Sequence, residues 1–266
     1  MLALATLTSL LVRHQPIMRS PHLQCIVRTL LCCSLLGLSS LALAASEPIY
    51  QASGMQQHQA HFQQALRQAQ ERYARQLPTN VHQTLVRQSN QRFAPEAMQD
   101  RALARLAVSL DNPTRQQALD FYQQPHGQRI VTAETAATAP GSVASLQNGV
   151  PEQTLSAQRQ ALLARLANSL PALEMGVEVS MALANLAAQS ANDLFGGLMR
   201  VPDAMVSGQR DRLRNQMQPN LLDTLAHSYR DLSDADLAAY ANWSESETGQ
   251  RYFRAVEMAA RDALNP

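Results

Sequence analysis

Lysine is absent from this 266-residue chain, in which all 22 basic residues are arginine. With no side-chain amine there is no Schiff-base nucleophile and no phosphate-gripping P-loop lysine. The bias reads as codon usage of a GC-rich genome rather than selection for guanidinium chemistry. Cysteine is nearly as scarce. Cys25, Cys32 and Cys33 are the only three, and all precede residue 45. If that segment is removed, the remaining chain has no disulfide, no thiolate nucleophile and no zinc-thiolate site. Aromatic residues make up only 5% of the chain, so the core is expected to rest mainly on Leu, Ala, Val and Met. Strand signals are almost missing as well, because β-branched and aromatic residues are scattered and do not alternate.

The first residues point to export. Thr29 to Ala44 is uncharged and apolar, follows Arg19 and Arg28, and closes on Ala42-Leu43-Ala44, the small-x-small pattern of a signal-peptidase site. The run is shorter than the roughly 20 apolar residues a membrane span needs, so cleavage after Ala44 is expected rather than a retained anchor. Cys32 and Cys33 lie inside the run without the small residues that precede a lipidated cysteine. Residues 1–17 are awkward for a signal peptide, and Met18-Arg19 makes a more conventional start. From Ala45 onward 19 arginines face 21 acidic residues, a net charge of −2, which gives no electrostatic case for nucleic acid.

What is present is helix-forming. Ala, Leu, Gln, Arg and Glu recur at helical spacing and predict an all-α fold. The predicted helices run over 55–77, 79–90, 95–110, 113–138, 152–169, 172–199, 202–217, 221–229, 235–242 and 245–264. Asn112-Pro113 reads as a cap followed by a proline at the first helical position. Ser233 to Asp236 and Ser244 to Glu247 read as capping boxes, and Gly196-Gly197 as the end of a long, weakly charged helix. The stretch 139–151 is rich in small residues, Gly and Pro and has no charge, so it reads as a linker between a first helical unit (45–138) and a second (152–266).

The two units share a motif. Shifting the chain by 122 residues sets Phe121-Tyr-Gln-Gln-Pro-His-Gly-Gln-Arg129 on Trp243-Ser-Glu-Ser-Glu-Thr-Gly-Gln-Arg251. The shared elements are an aromatic (Phe121 with Tyr122, or Trp243), a glycine six residues on (Gly127, Gly249) and an arginine two beyond that (Arg129, Arg251). This predicts a bundle built from two similar units. In each copy the aromatic would end one helix on its buried side, a proline or turn would restart the chain, and the glycine would admit a close neighbour.

At these residues the chain resembles the periplasmic domain-of-unknown-function family DUF2059, with its acidic-Leu stretch, Phe-Tyr-x-Ser-x-x-Gly-x-Lys/Arg core and following helix. Leu119 to Arg129 carries the pattern with Gln124-Pro125 near the usual serine. The second copy has Asp236-Leu237 ahead of its core and Trp243-Ser244 in place of Phe-Tyr. The resemblance covers two stretches of roughly 40 residues. It implies a small exported helical bundle and no assigned activity.

Candidate chemistry is thin. His58 and His61 stand three apart, as metal ligands can on a helix, but Gln-rich surroundings favour a solvated face. His126 and His227 are not equivalent in the two copies and read as surface or capping residues. No Gly-x-Ser-x-Gly elbow occurs, and Ser142 has nothing to orient it. Asp231 to Asp236 lacks the glycine and glutamate of a calcium loop. Arg129 and Arg251 could each clamp a carboxylate or phosphate, and the structural alternative is a glutamate on a neighbouring helix. The Met-bearing stretch 177–199 reads as a central helix, with a partner- or lipid-facing surface as the alternative. These readings name no catalytic, cofactor or metal residue and no cofactor. They expect a non-enzymatic periplasmic protein that contacts a protein or envelope partner, with a homodimer and membrane contact left open. The rivals are a ligand binder or enzyme with a pocket between the units, and a peripheral lipid binder.

Overall fold

A helix needs only local hydrogen bonds and a face to bury, and this composition supplies both along almost the whole chain. The computed structural model describes residues 44–145, 149–151, 153–194 and 203–265, which belong to one unit, Ala42–Pro266. Among the described residues there is no strand. The segment read as a signal peptide lies outside them except for Ala44, as do Gly196-Gly197 and Pro202.

The helices are α1 (44–52), α2 (Met55–Ala74), α3 (Thr79–Arg92), α4 (Pro95–Ser109), α5 (Asn112–Gln123), α6 (Pro125–Thr138), α7 (Pro140–Ser145), α8 (Ala157–Ser169) and α9 (Ala172–Leu194). After them come α10 (Asp203–Met217), a 3-10 turn (Gln218–Asn220), α11 (Leu221–Ser228), α12 (Asp234–Glu245) and α13 (Glu247–Leu264). The stretch read as a linker holds α7, which rests on α2 and α6.

Helices from both sides of that stretch enclose one core. The last helix, α13, runs along α4 and meets α5 and α9, while α12 packs on α8 and α6 and α9 packs on α3 and α10. Leu103, Leu106 and Leu110 of the first half share this core with Leu163, Leu166, Leu237, Val256 and Ala259 of the second. Directly after Ala44, Ile49 and Tyr50 of α1 are buried in it too.

Local chemistry sets the helix limits, in several places by a different residue than the sequence suggests. Residues 113–138 form two helices, because Pro125 offers no N–H and its ring pushes Gln124 out of the helical region, to φ −73°, ψ 156°. The cap of α5 is Asp111 rather than Asn112, its carboxylate accepting the Thr114 N–H at 2.8 Å. Ser233 caps α12 as expected, accepting from Asp236 N–H at 3.1 Å. The cap of α13 is Ser246 (to Gly249 N–H, 3.1 Å), and Ser244 is buried within α12, donating to the Ala241 carbonyl. Ser156 caps α8, which starts five residues later than the sequence pattern suggests.

At both helix breaks the next helix starts hard against the end of the previous one. A Cβ on Gly127 would overlap the Phe121 carbonyl oxygen, and a Cβ on Gly249 would overlap the Trp243 carbonyl oxygen. Both obstacles are backbone and cannot rotate away. Gly127→Ala and Gly249→Ala should each cost about 2–4 kcal/mol in urea unfolding. Gly141→Ala in α7, where a Cβ meets open space, should change stability by less than about 0.5 kcal/mol.

Candidate functional site

The motif positions come together in space. Phe121 ends α5 and Trp243 lies near the end of α12, and their rings stack on each other with centroids 4.2 Å apart and planes 8° from parallel. Tyr122 meets Trp243 edge-on at 5.4 Å, and Tyr252 and Phe253 of α13 lie 5.4 and 5.1 Å from the indole. Tyr240 joins the group at 6.1 Å from Phe121 and carries Tyr229 at its edge. Seven of the chain's twelve aromatic residues are thus spent at the place where α5, α12 and α13 converge. Few aromatics does not mean a core without them.

Residues 122 apart occupy matching places. Helices α5 and α12 start and stop 122 residues apart, and so do the starts of α6 and α13. The breaks at Gln124 and Ser246 share one backbone conformation, and so do the caps Asp111 and Ser233.

The two motif arginines reach across to the other half. Arg129 on α6 forks onto Asp236 at the start of α12, Nε to Oδ2 at 3.1 Å and Nη2 to Oδ1 at 2.5 Å. Ser233 Oγ donates to the same carboxylate at 2.7 Å. The hydrogen bond from Arg129, with that of Ser233 and the guanidinium charge, outweighs burial and holds Asp236 at about 2. Arg251 on α13 instead pairs with Glu247 on its own helix (2.5 Å) and approaches Asp111 at 3.7 Å. Neither arginine pairs with a glutamate of a neighbouring helix.

Two interior carboxylates stand out that the sequence did not single out. Glu134 of α6 reaches in between Tyr229 and Tyr240, accepting from their hydroxyls at 2.7 and 2.8 Å. Burial raises its pKa, and the two hydroxyls only partly offset that. Glu178 of α9 is fully buried and accepts from Arg210 of α10, from Arg261 of α13 at 2.8 Å and from Asn265 at 3.0 Å. Burial acts against its charge, but the bonds from Arg210 and Arg261 prevail and its pKa falls. Glu174 one turn earlier takes a two-pronged bond from Arg214, at 2.6 and 2.8 Å. Along the same helix Val177, Met181, Ala182 and Leu186 are buried.

The His pair is not simply solvated. His58 Nδ1 and His61 Nδ1 both meet the Thr138 hydroxyl at the end of α6, at 2.8 and 3.1 Å. Burial, with His61 alongside, lowers the His58 pKa to about 4. His126 lies 5.1 Å from the Phe121 ring, and His227 sits beside Arg230. Among the described residues no group of three His, Cys, Asp or Glu side chains is placed to hold a metal ion. Among the described residues the opening of note is a groove of about 500 Å3 where Arg251 and Arg254 of α13 face Thr114 of α5 and its cap Asp111.

These features define a class: an all-α bundle organised around helix-break-helix hairpins, with an aromatic before each break and Gly-Gln-Arg after it. Residues 96–150, which run from α4 through α6 and past α7, match the model of a bacterial family described as an uncharacterized protein conserved in bacteria (DUF2059). It is the family that the Phe121 motif resembles. No curated protein and no solved structure matches the chain.

Two consequences can be measured. Phe121→Ala removes both a buried ring and the stack on the only tryptophan. It should cost about 3–5 kcal/mol and shift Trp243 emission to the red in the folded protein. His58 has a folded pKa below its unfolded one, so the unfolded state binds the extra proton, and stability falls as pH drops from about 6.5 to about 4. Glu134, with its pKa raised, works in the opposite sense, so the His58 share is read as a difference. Over that window the parent should lose on the order of 2 kcal/mol more than His58→Gln, after allowing for the solvent that still reaches the ring.

Proposed function

We propose that the mature chain is an exported periplasmic protein that works by binding, through contact with a protein or envelope component, and not by catalysis. The observation that carries this is how the interior polar groups are used. Glu134, Glu178 and Asp236 each take at least two internal partners from other helices or caps. Acids poised for proton transfer need access to a reacting atom, whereas these are enclosed in hydrogen bonds that tie helices together. The Ala42-Leu43-Ala44 pattern supports a mature domain starting at Ala45, which keeps the core residues Ile49 and Tyr50.

The matched caps, breaks and glycine contacts support reading α5–α6 and α12–α13 as divergent copies of one hairpin. Their pairing through the Phe121–Trp243 stack makes a single bundle of the two copies rather than two tethered domains.

The test is the intact mass and N-terminal sequence of the protein recovered from the periplasmic fraction of its bacterium after mild crosslinking. A chain starting at Ala45 with a crosslinked partner is the expected result. A chain retaining Met18 in the membrane fraction would replace the soluble reading with a tethered one.

A further inference from the structure

The matched halves differ at one informative place. In one half the motif arginine, Arg129, holds the Asp236 carboxylate, which is the third residue of α12. The residue 122 positions earlier, the third of α5, is Thr114, so the matching arginine, Arg251, faces a hydroxyl residue where its counterpart faces a carboxylate. Beside Thr114 there is an opening: Thr114, Asp111 and Arg251 all line the groove of about 500 Å3. The groove is open to solvent along its length and suits a small ligand lying on the surface.

From this we infer that the groove between α13 and the α4–α5 corner binds a small aliphatic monocarboxylate, whose carboxylate takes from Arg251 the place that Asp236 takes from Arg129.

The remaining lining fits that ligand. Arg254 lies one turn beyond Arg251 and Met258 one turn further, so two guanidinium groups and an apolar side chain share one face of α13. Across from them Leu110 and Val108 supply apolar surface, with Val108 78% exposed. The present partners of Arg251 are weak competitors. Glu247 and Asp111 are both largely exposed, and Asp111 stands at 3.7 Å while accepting the Thr114 N–H. Those two carboxylates also set the selectivity. With Arg251 and Arg254 set against Glu247 and Asp111 the site is close to neutral, which disfavours a phosphate dianion more than a monoanion. The guanidinium fork suits a planar carboxylate, which it can bind through two parallel hydrogen bonds.

The inference rests on reading the chain as a binding protein, and its failure would leave that reading standing if export and partner capture persist. The test titrates the mature protein, followed by Trp243 fluorescence for folding and by calorimetry or NMR for binding, with hexanoate, hexanamide and inorganic phosphate. Hexanoate should bind with a dissociation constant in the range of about 0.1–1 mM, and hexanamide and phosphate at least about tenfold more weakly. Arg254→Gln should weaken hexanoate by about fivefold and Arg251→Gln by more than about tenfold. The double variant Asp111→Ser with Thr114→Asp transplants the Ser233 and Asp236 pair onto α5. It should hand Arg251 an internal carboxylate and abolish hexanoate binding at unchanged or higher thermal stability. N-acetyl-Ala-Ala binding more tightly than hexanoate, with its amide silent, would assign the groove to chain ends rather than free acids. Equal binding of hexanoate and hexanamide, equal binding of phosphate, or full affinity in both arginine variants would each overturn the inference. The single variants keep it open to refutation even if the double variant does not fold.

Discussion

The stack of Phe121 on Trp243 is the contact on which the architecture depends. Each ring comes from the last turn of a helix, and each helix is followed by a break that sends the chain back past the ring. Two hairpins meeting ring to ring make a joint at which α6 and α13 can each reach the other half. Arg129 reaches α12 and Arg251 approaches α5, while α13 extends further, along α4. With aromatics only 5% of the chain, placing most of them at this joint gives the largest buried area per residue where two halves must hold.

Polar groups do the second part of the fastening, and arginine suits the task because its planar fork can bond several acceptors at once. Arg159 reaches the Tyr229 and Leu232 carbonyls and Asp234, pinning α8 to the corner before α12. Arg101 binds the Asp262 and Ala263 carbonyls at the end of α13, and Arg165 grips Glu245 with two bonds. The lack of lysine, whatever its genomic origin, leaves a bundle whose helix ends are closed by guanidinium groups. Buried acids such as Glu178 are kept ionised by the same means, since removing one partner would strand a charge.

The glycine positions show where reading the sequence works. Gly127 and Gly249 are constrained by backbone only six residues away, and a contact that close along the chain is implied by the break itself. The helices and the Ser233 cap are similarly local. Other boundaries shifted for equally local reasons, such as the Asp111 carboxylate reaching the Thr114 N–H where Asn112 was expected to cap. The His58–His61 pair shows the limit. Its partner Thr138 is 80 residues from His58, and no pattern around either histidine names it. Glu134 is one polar residue in an Ala- and Thr-rich helix, and only the arrival of Tyr229 and Tyr240 makes it a part-buried, doubly hydrogen-bonded acid.

By itself, then, the sequence determined the helical class, the Ser233 cap and the tight glycine contacts of the two motifs, because each depends on hydrogen bonds and steric limits spanning a few residues. The tertiary structure decided what those hairpins meet. It stacked Phe121 on Trp243, gave Asp236 to Arg129, and left Thr114 opposite Arg251 with a groove between. Such pairings arise from residues about 100 or more positions apart competing for the same buried volume and the same charges, and their outcome is settled only when all the helices are in place.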